Sequence, residues 1–446
     1  MSHTEAPRRT GLMSLEDALA QLLGAAQPLA GQESVATLEA DGRVLAQDIR
    51  SGLDVPGFDN SSMDGYAVNS AEVAAAIAAG QALAVSQRIP AGHFGLVLQP
   101  GSVARIFTGA PLPAGADAVV MQEEAEPQAD GSVRFQQAPA VGQFIRRRGE
   151  DMRQGDTVLP AGTRLGPAEL GLAASLGLAA LPVRPRVRVA LFSTGDELVM
   201  PGEVAPEDMA PGAIYNSNRY FLSVLLRRLG CEVSDLGIVP DRREATLEAL
   251  RAAAEAHDLI VTSGGVSVGE EDHVKPAVQQ LGGLDLWQIA IKPGKPFAHG
   301  WIARSGQADP SDQTGDPGDA AGRCHFVGLP GNPVSSFVTF LLLVRPLLLR
   351  LQGISAGQGV QAQPGADGLP PGLALPAHFD WPRADRRREF LRARRNAAGG
   401  LDLFPNQSSG VLTSVAWCDG LVDLPAGRTV ARGDSVNFIS LAALLG

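Results

Sequence analysis

From residue 187 onward the chain alternates short apolar runs with amphipathic stretches, and no other feature constrains its fold as strongly. Residues 187–192, 232–239 and 259–262 read as strands, while 217–229, stopped by Gly230, and 242–256 read as helices. Asp241 and Glu244 give the second helix an acidic start. Strands alternating with helices build βαβ units, and hence a parallel sheet with helices on both faces. Ligands of such sheets sit beyond the carboxyl ends of the strands.

Four loops follow strands at that end: 193–197, 263–270, 292–296 after a strand at 286–291, and 328–333 after one at 325–327. All are rich in Gly, Pro, Ser, Thr or Asn with a few charges, so together they are expected to line one cleft. The second loop organises the others. Ser263, Gly264 and Gly265 break the strand with a turn that only small residues allow, which fits an ordinary Gly-rich strand end or, with backbone N–H groups left outward, a site for an anion such as phosphate. Glu270, Glu271, Asp272, His273 and Lys275 then crowd the same rim. A site that holds anionic oxygens beside carboxylates needs a cation between them, and Mg²⁺ suits it. Pro333 suits the first turn of a helix running through Phe340.

Ahead of this region, 14–23 carries a helical apolar pattern with Ser14 as N-cap and Asp17 three residues on; it is expected to pack far from its sequence neighbours. Residues 33–55 read as short extended pieces. The loop 54–68 is dense in polar residues yet re-enters a strand at Tyr66, which fits a functional loop and an Asx-type turn by Asp59, Asn60 and Asp64 equally well. Residues 71–143 read as an inserted β-rich domain, with one strand entering a Gly/Pro loop at 104–113 and another at 118–122. The run Arg146, Arg147, Arg148, Gly149, Glu150, Asp151 closes the insert, where the chain crosses between domains. A helix opened by Pro167 follows, then a linker marked by Pro182 and Pro185. The polar segment 305–322 reads as a flexible surface loop. Beyond a linker ending near 371, short strands form a small all-β domain. Its arginines, Arg386, Arg387, Arg388, Arg392, Arg394 and Arg395, fit a solvated strand edge or a phosphate contact to a neighbouring domain or subunit.

The 446 residues are about three typical domains long. With 45% hydrophobic and 19% charged residues the chain is globular. A net charge of −11 argues against nucleic acid or a membrane surface as partner, so an anionic substrate must meet local basic groups. Three separated cysteines, Cys231, Cys324 and Cys418, fit a reducing compartment and a place in the core. The first residues carry no apolar signal core, and the most apolar run, 337–351, is interrupted by Arg345 and Pro346. A cytoplasmic location with no membrane attachment is expected.

Seven ordered motifs together resemble the molybdopterin molybdenumtransferase family, the MoeA-type enzymes related to the E-domain of gephyrin: DNSSMDGYAV, RIFTGAPLPAGADAVV, IRRRGEDM, FSTGDELV, VTSGGVSVGEEDHVK, AIKPGKPFAHG and GLPGNPVSSF. The resemblance spans roughly residues 12–445. It implies an elongated multidomain α/β plus β fold: a discontinuous linking domain (12–55 and 145–183), a β-rich inserted domain (56–144), a central molybdopterin-binding-like parallel α/β domain (184–355) and a C-terminal β-barrel-like domain (368–446).

The implied reaction is Mg²⁺-dependent transfer of molybdate into adenylylated molybdopterin, giving molybdenum cofactor and AMP. The family is a homodimer whose active site lies between the α/β domain of one subunit and the insert of the other, and transient contacts with other cofactor-biosynthesis enzymes are expected. By motif position, Asp64, Thr108, Asp151, Glu197, Asp241, Asp272, Lys292 and Lys295 correspond to its functional positions. Glu197, Asp241 and Asp272 are the expected metal ligands, and Lys292 and Lys295 the guides for molybdate. Ser263, Gly264, Gly265 and Ser267 are expected at the pterin-phosphate loop, and Pro330, Gly331, Asn332 and Pro333 at the molybdate pocket; Arg387 and Ser409 complete the cofactor-binding set. His273, His299 and the long 305–322 segment depart from the family pattern, and His299 is placed to tune the choice of metal. Two rival readings use the same core: a molybdopterin adenylyltransferase, which would consume ATP and not need the 54–68 and 146–151 motifs, and a gephyrin-like scaffold.

Overall fold

The computed structural model describes residues 12–265, 273–305, 322–354 and 369–445. By contacts the chain divides into two compact units, one made of 1–47, 161–170 and 179–446, the other of 48–160 and 171–178.

The larger unit is built on a six-stranded sheet in the order Glu232–Val239, Arg188–Thr194, Leu259–Ser263, Arg323–Leu329, Pro296–Ala303, Gly282–Gln288. The first four strands pair in parallel, whereas Pro296–Ala303 is antiparallel to both its neighbours. The expected all-parallel sheet is therefore mixed, and the strand expected at 286–291 is divided between Gly282–Gln288 and a separate two-residue strand, Ile291–Lys292. Because Gly282–Gln288 opposes a strand that itself opposes Arg323–Leu329, it runs with the parallel set, and its carboxyl end lies at the same sheet edge. All four loops singled out above thus leave one edge.

Both faces of this sheet are covered, which explains the continuous apolar character of its strands. Val189, Leu191, Leu259, Val261 and Val327 face one core with the helices Ser217–Arg228 and Pro333–Thr339. Ala190, Phe192, Ile260 and Phe326 face another with Arg243–Ala256 and Val274–Leu281. The run Pro333–Leu351 is long and apolar enough to cross a membrane, but 89% of its apolar window is buried inside the protein, as a core helix. Arg242, not Asp241, occupies the N-cap of Arg243–Ala256 and gives no side-chain cap, so the acidic start rests on Glu244 alone.

Ser14 caps the helix Leu15–Gly24 by accepting from the Asp17 N–H. Its apolar face, Leu15, Ala18, Leu19 and Leu22, joins the first of these cores, and Met13 bridges to Ile289, so this helix does pack far from its sequence neighbours. Pro182 is not in a linker: it lies in the strand Ala180–Val183, opposite Ser34 of Glu33–Ala36. A two-stranded ribbon is all edge and tolerates the missing N–H.

Near the C-terminus, Arg388–Arg395, Gly420–Leu424, Ser435–Ser440 and Leu373–Pro376 pair in sequence; Ala377 then bridges Leu401, whose strand Leu401–Leu403 returns to Arg388–Arg395. That closed circuit is barrel-like. It is not purely β, since short helices Thr413–Trp417 and Leu441–Leu445 accompany it.

In the smaller unit a six-stranded sheet runs Ala118–Met121, Gly65–Val68, Ser102–Ile106, Leu83–Ile89, Ser132–Phe135, Ala125–Pro127. It carries a helix, Ser70–Ala79, within the segment expected to be β-rich. The signals are local: Asn69 accepts from the Glu72 N–H, and Gly80 ends the Ala-rich run at φ 66°.

Candidate functional site

At the carboxyl edge of the larger sheet the loops hold one another. Gly264 and Gly265 adopt φ +96° and +67°, conformations that favour glycine. A side chain on Gly264 would lie 2.8 Å from the Thr194 carbonyl oxygen, so the first and second loops touch through backbone. The Gly264 N–H donates to the Leu329 carbonyl at 3.1 Å, joining the second loop to the fourth. Asn218 strengthens that junction. Its buried Nδ2 donates to Ser263 Oγ and to the Gly331 carbonyl, each at 2.7 Å. Ser193 Oγ, Thr262 Oγ1 and Asn216 Nδ2 lie buried at the same edge and, among the described residues, have no hydrogen-bond partner. An edge supplied with unpaired hydroxyl and amide groups suits a polar ligand.

The third loop, Lys292 to Pro296, packs on the helix that follows the fourth: a side chain on Gly294 would meet Thr339 Oγ1 and the Ser335 carbonyl. Ile291–Lys292 also adds a parallel strand to the C-terminal barrel beside Arg388 and Glu389. Lys292 Nζ lies 2.9 Å from Glu389 and 3.2 Å from Asp385. Burial opposes its charge, but these carboxylates outweigh that and hold the ammonium above its ordinary pKa. Arg387 is paired with the same Asp385, whose carboxyl it holds well below the usual range against the effect of burial, with Lys292 adding to the shift. Lys295 is exposed and, among the described residues, has no ion pair. A cavity of about 240 Å³ opens here, lined by Lys292, Pro293, Trp381, Glu389, Gln407 and Ser408 among others. Ser409 accepts the Val334 N–H, tying the barrel to the start of the helix after Pro333.

Glu197 is exposed and Asp241 half-buried, and they follow strand ends that pair directly, Thr194 with Val239. Asp272 and Ser267 lie outside the described residues, as does most of 305–322. Among the described residues no three His, Cys, Asp or Glu side chains converge as a metal site. His299 is not at the rim. It is buried within its strand, stacked on His325 and tilted against Trp287, and burial pushes its pKa down to about 3, so it is a core residue held toward its neutral form.

The remaining expected residues belong to the smaller unit. Asp64 accepts from both the backbone N–H and the hydroxyl of Thr108, each at 2.8 Å, and the N–H bond foremost lowers its pKa. Asp59 accepts from Arg148 N–H and pairs with Arg147, while Asp54 pairs with Arg148. The Asp151 N–H donates to the Val55 carbonyl. Motifs at 54–68, 104–113 and 145–151 therefore form one cluster, and only part of the Asx-turn expectation holds, because these carboxylates are satisfied from distant segments.

Sequence reasoning missed Asn218, Asp385 and Glu389. Asn218 sits inside a helix read only for its apolar face, and the two acids were overshadowed by the arginine run. That run is not one solvated edge: Arg392 is 1% exposed and donates to Ser414 Oγ and the Phe390 and Ser408 carbonyls.

Family models cover most of the chain. The MoeA N-terminal region (domain I and II) matches residues 13–177, the probable molybdopterin binding domain 190–350, and the MoeA C-terminal region (domain IV) 374–441. The molybdopterin molybdenumtransferase of Haemophilus influenzae is 43% identical over 316 residues, 71% of this chain and 72% of that one. That of Nostoc sp. is 34% identical over 410 residues, 90% and 87% of the two chains. The crystal structure of the molybdopterin biosynthesis moea protein from Pyrococcus horikosii covers 96% of this chain and 99% of its own, with a TM-score of 0.72 and 29% identity. Motifs, architecture and these likenesses agree, and the chain belongs to the molybdopterin molybdenumtransferase (MoeA) family.

Proposed function

We propose that this chain inserts molybdenum into molybdopterin, taking molybdate and adenylylated molybdopterin as substrates and releasing AMP. It is a molybdenum-transferring enzyme of molybdenum cofactor biosynthesis. The observation that carries the finer reading is the stitched sheet edge, where Asn218 binds the turn at Ser263 to the loop at Gly331. Both substrates are anions, so bringing them together requires donors and positive charge in a confined place. Ser263, Gly265 and Ser267, at the turn that Gly264 makes with its own N–H given to Leu329, would receive phosphate, and Lys295, exposed and unpaired among the described residues, would draw in molybdate toward Pro330, Gly331, Asn332 and Pro333. Lys292, Arg387 and Ser409 would set the position of that loop from the barrel side.

Mg²⁺ binds carboxylates together with phosphate oxygens and water, and Glu197 and Asp241, which follow adjacent strand ends, would hold it with Asp272. When bound it would neutralise the pyrophosphate and stabilise the departing adenylate. Asp64, Thr108 and Asp151 remain proposed catalytic positions. We also infer the four-domain division 12–55 with 145–183, 56–144, 184–355 and 368–446, a homodimer, and a cytoplasmic location.

The test is AMP release from adenylylated molybdopterin, with molybdate and Mg²⁺ added in turn. Release only when both are present is expected, with Asp272→Asn losing most turnover while keeping its fold. Release independent of molybdate, or consumption of ATP in its place, would sink the reading.

A further inference from the structure

Asn218 is 7% exposed on the second residue of the helix Ser217–Arg228, above the sheet face that carries Ser263 and its register partner Ser193. Its amide gives one hydrogen to Ser263 Oγ and the other to the Gly331 carbonyl, both at 2.7 Å. A hydroxyl that accepts from an amide keeps its own hydrogen free to donate. Among the described residues the Ser263 hydroxyl has no protein acceptor, although Ser263 is 4% exposed. The neighbouring Ser193 Oγ is likewise buried and unpartnered. An anionic oxygen at the turn would satisfy that donor, and charge-assisted hydrogen bonds of this kind are among the strong ones.

We propose that Asn218 is a positioning residue for the oxyanion site: by donating to Ser263 Oγ it turns the serine proton toward the bound phosphate, and by donating to Gly331 it locks the glycine turn to the Pro330–Pro333 loop. The inference rests on the functional reading above and adds a residue that never touches the substrate. An aspartate has the same shape but no proton to give. It would accept from Ser263, reverse the hydroxyl and add a negative charge beside the phosphate.

The experiment measures the dissociation constant of the full-length chain for adenylylated molybdopterin by anaerobic titration calorimetry, with thermal melts as a check of folding. Asn218→Asp is expected to bind about tenfold more weakly or worse while remaining folded. A double-mutant cycle then separates positioning from general damage. If Asn218→Ala costs about fivefold and Ser263→Ala about tenfold, the pair should lose clearly less than the product of the two, because Asn218 acts largely through Ser263. Should Asn218→Ala fail to fold, Asn218→Ser replaces it in the cycle. Wild-type affinity in Asn218→Asp, or losses that simply multiply, overturns the proposal. A wild-type chain that does not bind adenylylated molybdopterin overturns the functional reading itself, and the proposal with it.

Discussion

Lys292 Nζ lies 2.9 Å from Oε1 of Glu389, a carboxylate whose side chain is only 2% exposed, although 97 residues separate them in sequence. Trp381 Nε1 donates to the other oxygen of Glu389 at 2.9 Å. The barrel thus holds the lysine end of the third loop through a buried charge, and a residue expected to guide molybdate is already ion-paired. Replacing Lys292 by Met strands that carboxylate and should lower stability by about 2 kcal/mol, between the values for exposed and fully buried pairs. In a Glu389→Gln background the same replacement should cost much less. Equal losses in both backgrounds, measured by urea denaturation, would mean that the pair is not the cause.

Asp385 gives a dependence on pH. Its folded pKa is held below the ordinary value of about 3.9, chiefly by Arg387, with burial opposing and Lys292 assisting. A depressed carboxyl contributes stability that is present above the unfolded pKa and is lost as pH falls toward the folded one. Asp385→Asn should therefore melt below the wild type at pH 7, and the gap should shrink steadily below about pH 4. Melting curves across pH check this, and a gap that stays constant down to low pH contradicts it.

Gly264→Ala and Gly331→Ala should behave oppositely, though both lie in the proposed anion site. Alanine at 264 must adopt φ +96° and meet the Thr194 carbonyl at 2.8 Å, whereas at 331 nothing lies within 4 Å. The first should cost about 2 kcal/mol and weaken pterin binding; the second should stay within about 0.5 kcal/mol of wild type. Thermal melts and binding titrations of the two variants decide.

The arginine run should split the same way. Arg392→Ala removes a guanidinium that is 1% exposed and leaves the Phe390 and Ser408 carbonyls without it, for a loss of about 3 kcal/mol. Arg395, 60% exposed and 3.8 Å from Asp419, should cost at most about 0.5 kcal/mol on the same change. Comparable losses from the two would mean that burial does not set their worth.

What could be read in the sequence was local. The strand Glu232–Val239 and the helix Leu15–Gly24 with its Ser14 cap follow from apolar period and capping within a few residues of themselves. Gly264 and Gly265 announce their turn in the same way, since their backbone conformation depends on the absence of a side chain. The helix Ser70–Ala79 was equally legible from Asn69 and Gly80, but the composition of the surrounding segment masked it.

Sequence by itself determined the alternation of elements and the small-residue loops, because periodicity and backbone freedom belong to neighbouring residues. Only the tertiary structure decided which polar groups would meet. Asn218 reaches Ser263 across 45 positions and Gly331 across 113, and the acids that restrain Lys292 come from a barrel. Hydrogen bonds and ion pairs form wherever packing brings donors to acceptors, and that meeting is set by the cores of the sheet and barrel rather than by any spacing along the chain.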